Sequence, residues 1–254
     1  MSTGLLYRLE YHLEVDDWCV SFDHPSPIVW SPGPFELTLE NGVAVVETNE
    51  RYVNDTKARK LVDPYLRSWG IDTALKMGGT FYFRFVNAQI SDRETSTWRP
   101  PTEVRISQMA IEVFVAKPPK LTEYPPPPTS FFADTDVNTL WFLFQSYKNN
   151  QIPLAAMGYF CLTLIEGRAG GPKKAKAKYA ISENVLDTLG KLTAIGDEKT
   201  GRKFIPGQFR PHTKSEKTWI EAAVKLLIQR AGEVASNSGQ PMHKITMGHL
   251  PPLN

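Results

Sequence analysis

Cysteine is nearly absent from this chain: of 254 residues only Cys19 and Cys161 carry a thiol, one in each half. That spacing excludes a disulfide framework and the clustered ligands of a zinc site, so both read as small apolar residues. Histidine is scarce too, and none of the five pairs with another at metal-ligand spacing. His212 and Glu216 stand near a helix start, where Thr213 and Glu216 fit a capping box instead. No metal or cofactor is therefore expected. The Gly-x-Ser-x-Gly elbow of the hydrolases is missing, and neither cysteine has a recognisable nucleophile context. Gly167 to Lys174 places glycines before lysines, but it follows a helix and lacks the Gly-Lys-Ser/Thr ending of a phosphate-cradling loop. Long apolar runs are also lacking. The longest, Leu154 to Ile165, falls well short of the roughly 20 residues of a membrane helix, so no span is expected. The first residues alternate in polarity and show no basic start with an apolar block, which predicts a cytoplasmic protein.

What the chain has in quantity is proline, 20 in all, and Pro125 to Pro128 are consecutive. Each ring fixes its own φ and restricts the residue before it, so the run is a stiff extended connector. Before it the apolar residues recur with period two, and after it with helical period. The expected organisation is α+β: an antiparallel sheet with a packed helix over residues 1–123, a proline-rich connector over 124–130, and a small helical bundle with an irregular tail over 131–254.

Leu5 to Val15 alternates and predicts a strand, with Trp18 to Phe22 returning beside it after Asp16-Asp17. The prolines between His24 and Pro34 predict a loop. Phe35, Leu37 and Leu39 lead into Asn41-Gly42, a tight hairpin turn, with Val43 to Thr48 as the return. From Asp55 the stripe Ala58, Leu61, Val62, Tyr65, Leu66, Trp69 is helical. Pro64 implies a kinked helix or a restart capped by Asp63. Phe81, Phe83 and Phe85 open another strand, and a phase change near Ser107-Gln108 predicts a bulge in a later one.

Past the prolines, Asp134 or Asp136 caps a helix so apolar, through Trp141 and Phe142, that it must be largely buried. A second runs from Pro153 to a stop at Gly167. A third is capped by Ser182, with Ile181 stapled to Leu186 and Gly196 as its stop. A fourth carries Trp219, Ile220, Ala223, Val224, Leu227, Ile228 and Ala231, and Gly232 weakens its end.

Charge is divided unevenly. Residues 1–128 hold 13 basic and 17 acidic side chains, and residues 129–254 hold 16 and 10. The excess is concentrated in residues 168–217, with 12 basic against 5 acidic. Arg168, Lys173, Lys174, Lys176, Lys178, Lys199, Arg202, Lys203 and Arg210 are the candidate polyanion-binding residues, placed on glycine-containing loops suited to phosphate contacts. Solvated, lysine-rich connections explain the same residues without a ligand.

The expected function is a binding or assembly protein that contacts nucleic acid, another polyanion or an acidic protein partner through these loops. Two alternatives stand beside it. One is a hydrolase or nuclease with a site between the halves, using Asp92, Arg93 and Glu94 with His12. The other is a homo-oligomeric scaffold, which would expose an apolar face on the helices of residues 137–166. Phe81, Tyr82, Phe83 and Phe85 with Arg84 and Arg105 also have the types of a base-stacking platform, although three phenylalanines on one strand face equally fill a core.

Overall fold

The computed structural model describes residues 6–15, 21–78, 81–91, 120–195, 210–237 and 242–253. The fold is α+β and divides into two compact units, Met1–Pro127 and Pro128–Asn254. Among the described residues of the first unit the strands are β1 (Leu6–Val15), β2 (Ser21–Ser26), β3 (Ile28–Trp30), β4 (Phe35–Glu40), β5 (Val43–Thr48), β6 (Phe81–Ser91) and β7 (Lys120–Glu123), with helix α1 (Asp55–Met77) between β5 and β6. Five of them form an antiparallel sheet in the order β3-β4-β5-β1-β6.

Alternation decides which face of the sheet is dry. Leu9 and Tyr11 of β1, Phe35, Leu37 and Leu39 of β4, and Ala44 and Val46 of β5 are buried in one core with Ala58, Val62, Leu66 and Trp69 of α1. The hairpin turns at Asn41-Gly42, both at positive φ (50° and 76°). β6 carries a bulge that its sequence conceals. Glu10 pairs with Asn87 but Tyr11 with Phe85, so Val86 is an extra residue and the inward phase moves from Phe81, Phe83 and Phe85 to Ala88. The bulge predicted near Ser107-Gln108 lies outside the described residues.

Two expectations for this unit need correction, and one pair of alternatives is decided. Ser21 and Phe22 do not return beside β1, because β2 pairs parallel with β7 and β1 already has β5 and β6 as neighbours. The proline-rich stretch is not a loop throughout. β3 is outermost among the described strands of the sheet, and Pro25 falls where the β2–β7 register breaks between Phe22 and Ser26, where a missing N–H costs no ladder bond. Of the two alternatives at Pro64 the restart is not found: α1 is one helix with Pro64 inside it, capped by Asn54, whose side chain accepts from the Lys57 N–H at 3.0 Å. Asp63 starts no new helix; its carboxylate accepts the Tyr11 hydroxyl at 2.7 Å.

The second unit is built from α2 (Thr135–Lys148), α3 (Leu154–Ala169), α4 (Pro172–Lys178), α5 (Glu183–Ala194) and α6 (Lys214–Ala235). α3 is central and packs against the other four. Gly158 permits the close approach: a Cβ there would stand 2.7 Å from Thr193 Cγ2 and 3.2 Å from Ile220 Cγ2. Asp134 is the cap of α2, accepting from the Val137 N–H at 2.9 Å.

α3 does not stop at Gly167 as expected. It continues to Ala169 and ends at Gly170, whose left-handed conformation (φ 79°) an L-residue adopts only with strain. Ser182 occupies the cap position of α5 without making a side-chain cap bond, while its N–H donates to the Ile245 carbonyl. Ile181 and Leu186 are both buried, and Gly196 lies outside the described residues. The capping box at Thr213 and Glu216 is present, and α6 continues past Gly232 to Ala235.

The tail is fastened to this unit. Ile245 makes a parallel bridge with Ile181, and Arg230 of α6 donates to the His243 carbonyl at 2.6 Å. No helix among the described residues is long and apolar enough to cross a membrane.

Candidate functional site

Helices α2 and α3 pack as neighbours, and each has more apolar circumference than its neighbours cover. On α2, Val137, Leu140 and Phe144 turn inward and are buried, while Phe142 is 67 % exposed. On α3, Met157, Cys161 and Ile165 are buried and Phe160 is 49 % exposed. The expectation that α2 is largely buried, Phe142 included, is therefore wrong for that side chain. A globular helix normally shows an apolar stripe little more than about 100° wide, and the excess beyond that width was the signal for an exposed face.

Between the two helices runs an open groove of about 610 Å³. Thr139 and Leu143 form one wall and Phe160, Thr163, Leu164 and Gly167 the other, with Arg168 at the end. Ion pairs within the chain take up the cation of its lining and the lysine that ends α2. Arg168 Nε donates to Asp136 at 2.8 Å, and Lys148 Nζ stands 3.6 Å from Glu221. Below the face, burial pushes the Cys161 thiol up to about 12, so this side chain is a packing group and not a nucleophile.

The basic candidates are dispersed among several roles. Lys173, Lys174, Lys176 and Lys178 belong to helix α4, not to a flexible glycine loop, because Pro172 is pre-organised for a first helical turn once Gly170 and Gly171 have reversed the chain. Lys176 pairs with Glu183 at 2.8 Å, holding that carboxyl below the usual range. Lys178 lies 5.0 Å from the centre of the Tyr179 ring. Arg210 grips Glu216 with both guanidinium nitrogens, and this contact first, with the Thr213 bonds added and burial opposing, brings the Glu216 carboxyl down to about 2. No ion pair occurs at Lys173, Lys174 or Lys178 among the described residues. Lys199, Arg202 and Lys203 lie outside them.

On the sheet unit, Phe81 and Phe83 pack against Trp69, and Phe85 against Tyr11, so the phenylalanines serve the core. Tyr82 and Arg84 are on the other face and both donate to Glu14, whose carboxyl is held below its usual value by these two bonds. His12 stands on that face 3.6 Å from Glu10. Asp92, Arg93, Glu94 and Arg105 lie outside the described residues. Comparison with protein-family models, with curated proteins and with solved structures returns no match for this chain.

Proposed function

We propose that this chain is a binding and assembly protein that associates with a second copy of itself through the α2–α3 face. The observation that carries this reading is the pair Phe142 and Phe160, 67 % and 49 % exposed beside one apolar groove. A two-fold contact sets the same patch against itself, so the aromatic knobs of one copy have the groove of the other to fill. Charge favours this occupant. Arg168, the cation in the described lining, is offset by Asp136, so two copies meet without repulsion and a polyanion gains little there.

Burying a phenylalanine yields about 1.5–3 kcal/mol, so four half-exposed rings supply roughly 4–6 kcal/mol. Association costs at least about 4 kcal/mol, so the rings alone leave a surplus of about 0–2 kcal/mol and the apolar groove walls supply the remainder, which predicts a weak dimer with a dissociation constant on the order of 1 mM. Sedimentation equilibrium from dilute solution to about 1 mM should show it. Phe142→Glu or Phe160→Glu should raise the dissociation constant at least about thirtyfold without unfolding the chain, since both rings face solvent. A wild-type protein that stays monomeric throughout would overturn the reading.

A second reading, contact with nucleic acid or another polyanion, is supported by Lys173, Lys174 and Lys178. If they touch phosphate, changing all three to alanine lowers the log–log salt slope of single-stranded RNA binding by about 2. An unchanged slope sinks it.

A further inference from the structure

A buried phenol in the sheet unit has a hydrogen still to give, and it lines a cavity that none of these readings uses. The cavity has a volume of about 330 Å³ and lies where the end of β1, the β2 segment around His24 and the Asn41-Gly42 turn converge on Tyr124. We propose that it binds a compact, neutral aromatic amide, whose carbonyl accepts the Tyr124 hydroxyl and whose N–H is received by the Asn41 side chain.

Tyr124 is 5 % exposed, and its oxygen accepts the Gly42 N–H at 2.7 Å. That bond uses a lone pair and leaves the O–H hydrogen without an acceptor among the described residues. A buried donor left in this state costs free energy until water or a ligand completes it, and the cavity gives a ligand room beside it. Burial, first, and the Glu40 charge raise the phenol above its ordinary value, against the Gly42 N–H, so it remains a donor at neutral pH. Asn41 is the second polar group. Its side-chain amide, on an exposed residue of the lining, makes no hydrogen bond among the described residues. An amide both gives and accepts, so a phenol and an amide together match a ligand that presents a carbonyl and an N–H on one edge.

Shape and charge narrow the class. Leu13, Val15 and Phe22 supply apolar wall, and the Phe22 ring lies 4.8 Å from that of Tyr124, which suits a flat apolar body. The volume is at the small end of ligand pockets, so one ring and its polar group fill it. An anion would meet the Glu40 charge that already acts on Tyr124, with no lysine or arginine among the described lining to receive it. Asp23 lines the space but is already engaged within the chain. A cationic amidinium carries donors only and would set its N–H groups against the Tyr124 O–H. A neutral carbonyl meets neither obstacle.

Benzamide, benzoate and benzamidine share one planar frame and differ in charge, and acetophenone keeps the carbonyl without the N–H. Each is titrated into the full chain while the amide spectrum is followed by NMR. Benzamide should shift the Phe22 and Gly42 amides saturably and bind at least about tenfold more tightly than benzoate or benzamidine, with acetophenone about threefold weaker than benzamide. Tyr124→Phe, which keeps the ring, should weaken benzamide and acetophenone alike by about tenfold, read at the Phe22 amide. Asn41→Gly, which suits the positive φ of 50° at that position, should bring benzamide to the affinity of acetophenone. Val15→Phe, which fills the wall, should abolish the shifts while leaving the remaining spectrum in place. Absence of a saturable benzamide shift, benzoate or benzamidine binding as tightly as benzamide, or benzamide binding unchanged in Tyr124→Phe or Asn41→Gly would overturn the proposal.

Discussion

Replacing Trp69 by alanine is expected to cost the sheet unit about 3–5 kcal/mol, the range for deleting a large buried aromatic. Trp69 is fully buried and is the hub of an aromatic cluster, with the Trp30, Phe83 and Phe81 rings at 5.5, 5.1 and 6.0 Å. Its indole N–H also donates to the Pro125 carbonyl at 3.0 Å, which fastens the start of the proline run to α1. The two contributions separate by substitution. Trp69→Phe retains most of the ring packing but strands the Pro125 carbonyl, and should cost roughly 1–3 kcal/mol. Urea unfolding followed by circular dichroism gives both values. An alanine variant within about 1 kcal/mol of wild type would show that this cluster is not the core of the unit.

Gly232→Ala should destabilise the helical unit by about 3 kcal/mol, at the upper end of the usual cost of overpacking. Helix propensity argues for the opposite sign, because alanine in a helix interior is favoured over glycine by about 1 kcal/mol. Sterics win here. A Cβ on Gly232 would overlap Cε2 and Cδ2 of Phe131, and even Cζ would stand only 2.7 Å away. Phe131 cannot retreat freely, since it is 5 % exposed and the next residue, Phe132, donates its N–H to the Gly232 carbonyl at 3.0 Å. Phe131→Ala placed on top of Gly232→Ala should recover part of the loss, a coupling that a double-mutant cycle reads directly. A stabilising Gly232→Ala would mean that the ring does not occupy this notch.

These two residues bear on how the proline run is held. Its first carbonyl is tied to Trp69 in the sheet unit, and the chain just beyond it is locked to Gly232 in the helical unit. Proline supplies no N–H, so a stiff extended run can be fixed only through its carbonyls and its neighbours. Tyr124 serves in the same way at the near end, through the Gly42 N–H.

Period and turn chemistry were enough to read the Phe35 to Thr48 hairpin, the α1 stripe, a cap of α2 at Asp134 or Asp136 and the Thr213–Glu216 box, because each depends on residues only a few positions apart. The parallel β2–β7 pair was not legible, since its partners are about 100 residues apart and proline content argued for a loop. The same limit applies to the candidate sites. Sequence composition showed that the helices of residues 137–166 carry a surplus of apolar side chains and that residues 168–217 carry a surplus of cations. Which rings remain uncovered is a property of how α3, in contact with four helices, directs α2, and this leaves Phe142 and Phe160 outside. Which cations keep their charge available depends on which acids the folded chain brings against them: Asp136 takes Arg168 from 32 residues away, while Lys176 and Arg210 are taken by Glu183 and Glu216 across a turn of the chain. The alternation of hydrophobic residues determined the α+β architecture by itself, because burial of a repeating face is a local demand. Surfaces and sites were decided only by the tertiary structure, because exposure and charge depend on what the rest of the chain places beside each residue.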